Sequence, residues 1–309
     1  MYRYIIRRIL LLIPVLIGVS FIVFSLMYIT PGCPAAITLG EQATSREIEQ
    51  LRAQMGLNDP FLLQYWRFIS DIIIRQDFGR SYATNAPVLD EILSRFPTTL
   101  TLAATGVLVA VVIGIPVGII SATKQYSLFD NVAMVFALIG VSMPNFWQGL
   151  LLILIFAVGL GVLPSSGYST PMHMILPAIT IGTSSAAMIT RMTRSSMLEV
   201  IKQDYIRTAR AKGQKESVVI YKHALKNALI PIVTVVGLQF GYLLGGAVLT
   251  ERVFSINGLG GVMIASISTR DYPLVQGAVL FIAFTFCIIN LLVDILYAYI
   301  DPRIKSQYK

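Results

Sequence analysis

Residues 191–227 read RMTRSSMLEVIKQDYIRTARAKGQKESVVIYKHALKN. Nine lysines and arginines (Arg191, Arg194, Lys202, Arg207, Arg210, Lys212, Lys215, Lys222 and Lys226) stand there against three acids (Glu199, Asp204 and Glu216). The stretch lies between two apolar runs. Asp204 can start a short helix, Gly213 interrupts it, and a second helical stretch is predicted from Glu216 toward Asn227. A connection that only joined two membrane spans would need far fewer residues. Cations beside spans have a simpler use, however: cytoplasmic loops collect Lys and Arg, and such side chains meet anionic headgroups. What surrounds the stretch decides between these uses.

The whole chain has 309 residues, of which 55% are hydrophobic and 13% charged. That is more apolar surface than one soluble core buries, so part of it must face lipid. The net charge of +8 falls in loops between apolar runs rather than on a soluble face. No nucleic-acid-binding signature accompanies it. Cys33 and Cys287 make no disulfide framework, and with only His173 and His223 beside them a zinc site is not expected. Ile29-Thr30-Pro31-Gly32 fits a lipoprotein cleavage site before Cys33 poorly.

Six apolar stretches follow one another. Residues 9–29, after Arg3, Arg7 and Arg8, would rise about 31 Å as a helix against a hydrocarbon core of about 30 Å. That run is longer than a cleaved leader's apolar core and is read as an uncleaved span. Residues 30–97 are polar by comparison, with helical character at 41–55 and an aromatic amphipathic run at 61–74 that either lies along the interface or packs on the spans. The second span covers about 100–122, with Gly114 and Gly118 at a spacing that lets helices approach closely. The third stretch, 132–163, is longer than one span needs, and Pro144 should kink or break it. The fourth, 174–190, is short and rich in Ser and Thr. Without it the nine-cation loop would lie outside; with it, residues 191–227 are cytosolic. The fifth, 228–250, carries Gly237, Gly241 and Gly245 at four-residue steps, for packing or for lining a pore. Residues 274–300 form the sixth. On this scheme sixteen Lys/Arg lie inside and eight outside, six of the eight in the long 30–97 loop, where the orientation rule is weak. No Lys or Arg falls within a span, and Asp294 is the one acid that does, near its cytosolic end, for anchoring or for transport.

The motif DYIRTARAKG (204–213), followed by KHALKNALIP (222–231), resembles the coupling loop of permease subunits of binding-protein-dependent ABC importers. The resemblance is to their dipeptide/oligopeptide/nickel branch. GLNDPFLLQYW, DFGRSY, RMTRSSMLEV, RDYPLVQG and the closing DPRIK resemble the same branch, so the likeness runs nearly end to end. Gly213, Ala209 and Leu225 match the wider family's loop pattern. Arg207, Thr208, His223 and Lys226 depart from it, and Cys33 stands where the family has Asp.

The resemblance implies an all-α polytopic membrane protein with six transmembrane helices, both termini cytosolic. One N-terminal helix (1–30) would precede an extracytoplasmic segment (31–97) and a five-helix type I importer core (98–309) holding the cytosolic coupling loop 191–227. It implies import of di- or oligopeptides, or of a nickel chelate or glutathione, across a bacterial or archaeal cytoplasmic membrane. The implied partners are a second, homologous permease, two ATP-binding subunits carrying ATP-Mg, and an extracytoplasmic solute-binding protein. Asp204, Tyr205, Arg207, Thr208, Ala209, Arg210, Ala211, Lys212 and Gly213 would dock in an ATPase groove. Tyr205, Ala209 and Gly213 would shape the knob, and Arg207, Arg210 and Lys212 would supply polar contacts.

The residues themselves carry no G-x-x-x-x-G-K-[ST], G-x-S-x-G or H-E-x-x-H, and no pair of acids within a span. Uphill transport would therefore draw its energy from a partner, with no cofactor on this chain. A stand-alone channel or carrier would function without ATPase partners. A scaffold or receptor would show no solute flux.

Overall fold

The computed structural model describes residues 2–40 and 43–300. Glu41, at the head of an expected helix, the side chains of Arg3 and Arg7, and the closing DPRIK tail lie outside the described residues. Among those residues the chain is helical, without a β-strand. First come α1 (Tyr2–Ile29), α2 (Pro34–Leu39), α3 (Ser45–Gln54) and α4 (Phe61–Ser70), the last continuing as a π-helical segment, Asp71–Arg75. Then follow α5 (Val88–Thr123), α6 (Leu128–Ser142), α7 (Asn145–Leu152) with a π-helical extension Ile153–Gly159, α8 (Pro171–Ile201) and α9 (Asp204–Ala211). After α10 (Glu216–Val218), a π-helical segment Val219–Ala224 leads directly into α11 (Leu225–Gly246). The chain closes with α12 (Val248–Val253), α13 (Leu259–Ser268) and α14 (Tyr272–Ile300).

Among the described residues five helices are long and apolar enough to cross a bilayer, or six if the bent pair at α6–α7 is one span. That pair turns by 106°. Pro144 stands at its corner as the N-cap of α7, where it has no N–H to donate to a continuing helix.

Three sequence boundaries move. The helix that holds the second span starts at Val88, ahead of Leu100, with Asp90 and Glu91 in the first turn of α5, where a helix dipole favours acids. The fourth does not stop at Thr190: α8 runs on to Ile201, carrying Arg191 and Arg194 inside a helix that meets span criteria. The second half of the helix–glycine–helix does not end at Asn227, since the π-helical turn joins α10 to α11 as one span-length run.

The chain forms two compact units. In the unit built on Leu100–Ile256, α8 is the axis. Its Ser/Thr-rich sequence reads weakly as a membrane span because the helix faces protein: Leu176, Ile181, Ser185, Ile189, Thr193 and Met197 are all buried. Glycines on α5 admit it. A Cβ at Gly114 would stand 2.9 Å from the Ala186 carbonyl oxygen, and one at Gly118 2.6 Å from Thr193 Cβ. The expected close approach at Gly114 and Gly118 is therefore against α8. Gly237 on α11 packs against Val293.

The unit built on Ile6–Thr99 and Asn257–Cys287 is held by aromatic packing. Phe21, Phe24 and Tyr28 of α1 meet Phe61, Tyr65 and Phe68 of α4 with ring centroids 5.0–5.8 Å apart. Tyr65 and Ser20 hydroxyls hydrogen-bond at 2.9 Å. Of the two expectations for residues 61–74, packing on a span accounts for this inner face. Trp66, Ile73 and Ile74 remain exposed on the other, consistent with lipid contact. A second core joins Val88 and Ile92 of α5 to Leu259 of α13 and to Leu274 and Ala278 of α14.

Candidate coupling surface

In α9 the side chains at 206 and 209 fall on one face, three residues apart. Ile206 is fully buried and Ala209 nearly so, in a cluster with Ile119, Met197, Val219, Ile220, Ala224 and Ile232. Burying Ile206 contributes roughly 1.5–3 kcal/mol, enough to seat a helix too short to be stable alone. The opposite face is open: Asp204, Tyr205, Arg207, Thr208, Arg210, Ala211, Lys212 and Gly213 are exposed. Eight of the nine residues singled out from sequence thus lie at the surface together. Ala209 turns inward and shapes the seat of the helix rather than its outer face.

Gly213 ends the helix with φ +72° and a backbone bond from its N–H to the Arg210 carbonyl at 2.9 Å. That left-handed geometry suits glycine. It folds the chain back so that Arg210 reaches Glu216, Nε to Oε2 at 3.1 Å and Nη2 to Oε1 at 2.7 Å. The bridge holds the Arg210 guanidinium more firmly protonated than usual, against a smaller opposing effect of burial. Gln214 Oε1 lies 2.7 Å from His223 Nε2, tying the turn to the π-helical segment. Arg207 makes a loose 3.6 Å contact with Asp204. Partial burial raises the Tyr205 phenol above its ordinary pKa. The result is a braced, basic helical knob.

Two clusters escaped sequence reading. Arg194 on α8 closes a two-pronged bridge on Asp130 of α6, at 2.7 and 2.8 Å. In the other unit, Asp271 is buried and accepts hydrogen bonds from the Ser81 hydroxyl and, at 3.0 Å, from the Tyr82 N–H. Ser81 and Tyr82 belong to DFGRSY and Asp271 to RDYPLVQG, two motifs quoted separately from sequence. Only folding shows that they meet.

A family model described as "Binding-protein-dependent transport system inner membrane component" matches residues 114–306. Its N-terminal counterpart, "Binding-prot-dependent transport system membrane comp, N-term", matches residues 1–103. The chain is 47% identical, over 99% of its own length and 100% of the relative's, to the dipeptide transport system permease protein DppB of Alkalihalophilus pseudofirmus. It is 45% identical, over the same shares, to the glutathione transport system permease protein GsiC of Escherichia coli K12. A solved structure of the MetNI methionine ABC transporter, in an inward-facing conformation, aligns with a TM-score of 0.57 at 18% identity, covering 69% of this chain and 97% of that one. That last likeness concerns the fold.

Proposed function

The chain belongs to the family of binding-protein-dependent transport system inner membrane components, and on that premise we propose that it is the permease subunit through which an ATP-driven importer passes di- or oligopeptides. The similarity to DppB supports the peptide reading. Glutathione, itself a small peptide, is the second reading, favoured by the near-equal similarity to GsiC.

The observation that carries the mechanism is α9: a basic outer face on a helix whose inner face is locked into the core of the unit built on Leu100–Ile256. ATP-hydrolysing partners on the cytosolic side would receive Asp204, Tyr205, Arg207, Thr208, Arg210, Ala211, Lys212 and Gly213 in an acidic groove, with Ala209 holding the helix from below. Their closure on ATP would displace α9 and bias the bundle between inward- and outward-facing packings. Energy comes from those partners, and this chain needs no cofactor of its own. A homologous permease completes the translocation path, a solute-binding protein delivers cargo, and the assembly sits in the cytoplasmic membrane of a bacterium or archaeon.

Gly213→Pro tests the reading. Proline fixes φ near −65° and has no N–H, whereas Gly213 needs φ +72° and donates to Arg210. In the reconstituted complex, ATP hydrolysis should persist while peptide uptake is lost and membrane insertion is unchanged. Normal uptake by this variant would contradict the proposal.

A further inference from the structure

Only Lys202 and Gln203 separate α8 from α9, and both helices feed one core, Met197 from α8 with Ile206 and Ala209 from α9. A displacement of α9 therefore passes into α8 rather than being taken up by a slack connection. Further up, α8 grips the broken pair at two points. Arg194 Nε and Nη2 donate to Asp130 Oδ1 and Oδ2 at 2.7 and 2.8 Å, near the start of α6. Gln148 Nε2 of α7 donates to Thr183 Oγ1 at 2.5 Å.

The Asp130 carboxylate is tied into the helix start as well. Its Oδ2 accepts the Tyr126 backbone N–H at 2.9 Å, and the Asp130 backbone N–H donates to Ser127 Oγ at 3.2 Å. Its side chain is 1% exposed and that of Arg194 21%. An apolar contact has no preferred direction and can slide. A two-bond guanidinium–carboxylate fork fixes angle as well as distance, and half of it cannot be left buried without a large cost. The amino end of α6 must then travel with α8.

We propose that Arg194 and Asp130 are positioning residues of the transport cycle, handing the movement of α9 to α6 and so to the break at Pro144. The proposal rests on the importer reading. Neither residue needs to touch the solute or the nucleotide.

The test is the amount of solute imported per ATP hydrolysed by the full complex in proteoliposomes. It compares wild type with Arg194→Gln, Asp130→Asn, Arg194→Lys and the charge swap Asp130→Arg/Arg194→Asp. The ratio should fall about tenfold in Arg194→Gln and Asp130→Asn, as a broken coupling of ordinary size requires. It should fall less in Arg194→Lys, which keeps the charge but not the fork, and recover in part in the swap. Parallel losses of uptake and hydrolysis, leaving the ratio unchanged, would overturn the proposal and leave the pair a purely structural link. If Arg194→Gln and Asp130→Asn do not assemble, an unchanged ratio in assembled Arg194→Lys overturns it equally. Absence of ATP-driven uptake by the wild type would instead sink the importer reading.

Discussion

Two arginines of one basic stretch, Arg194 and Arg210, each close a two-pronged bridge on a carboxylate, and water reaches them very differently. The Arg210–Glu216 side chains are 39% and 61% exposed; those of Arg194–Asp130 are 21% and 1% exposed. The chemistry is the same in both, so the difference is burial. The exposed bridge braces a turn without committing the helices beneath it. The buried one makes two helices mechanically one.

The largest consequence should be in stability. Arg194→Ala strands the Asp130 carboxylate and should cost about 3–5 kcal/mol, whereas Arg210→Ala should cost under about 1 kcal/mol. Thermal unfolding of the purified complex reads both, and equal losses would erase the contrast.

A buried carboxylate can also be held by neutral donors, as Asp271 is by the Ser81 hydroxyl and the Tyr82 N–H. Burial first, then the Asp271 charge, pushes the Tyr82 phenol up to about 12. Below pH 10 the phenol is neutral in folded and unfolded chains alike. As pH rises from about 10 toward 12, the unfolded chain ionises first and stability falls, by about 2–3 kcal/mol at completion. Tyr82→Phe should remove that part of the alkaline loss in a pH series of melting curves, and an unchanged alkaline limb would show that Tyr82 is not its source.

The contact between α5 and α8 sharpens the comparison without any charge. Gly118→Leu would drive side-chain atoms into Thr193 and the Thr190 carbonyl, at about 1–3 kcal/mol for overpacking. Gly213→Ala meets nothing within 4 Å and should cost about 1–2 kcal/mol of left-handed backbone strain. The smallest effect is salt. Raising ionic strength from about 0.1 to 1 M shortens the screening length from about 10 to 3 Å. It should weaken the Arg210 bridge and leave the Arg194 bridge nearly intact, measurable as salt-dependent coupling in double-mutant cycles.

Much of the architecture was legible in local pattern. Hydropathy marked the apolar stretches, Pro144 marked the break, and Gly114 and Gly118 marked a close helix contact. The knob was legible too, since Asp204 and Gly213 delimit it by rules that act over a few residues. That Ala209 shapes the knob from its buried side was not legible, because the motif does not by itself say which helical face its three-residue spacing from Ile206 selects. The end of α8 was missed because positive charge was taken as a sign of loop, while Arg194 remains helical by burying its charge against a carboxylate on another helix. Asp130–Arg194 and Ser81–Asp271 joined residues far apart in the chain, which no local period encodes.

The corner between α6 and α7 has a further consequence for the solvent around this protein. At Met143 and Pro144 the backbone leaves helical geometry, so the closing carbonyls of α6 and the opening amides of α7 lack intrahelical partners. Hydrocarbon would charge several kcal/mol for each such group left bare. The elbow must therefore sit against water, protein or cargo, a polar notch cut into an otherwise greasy wall.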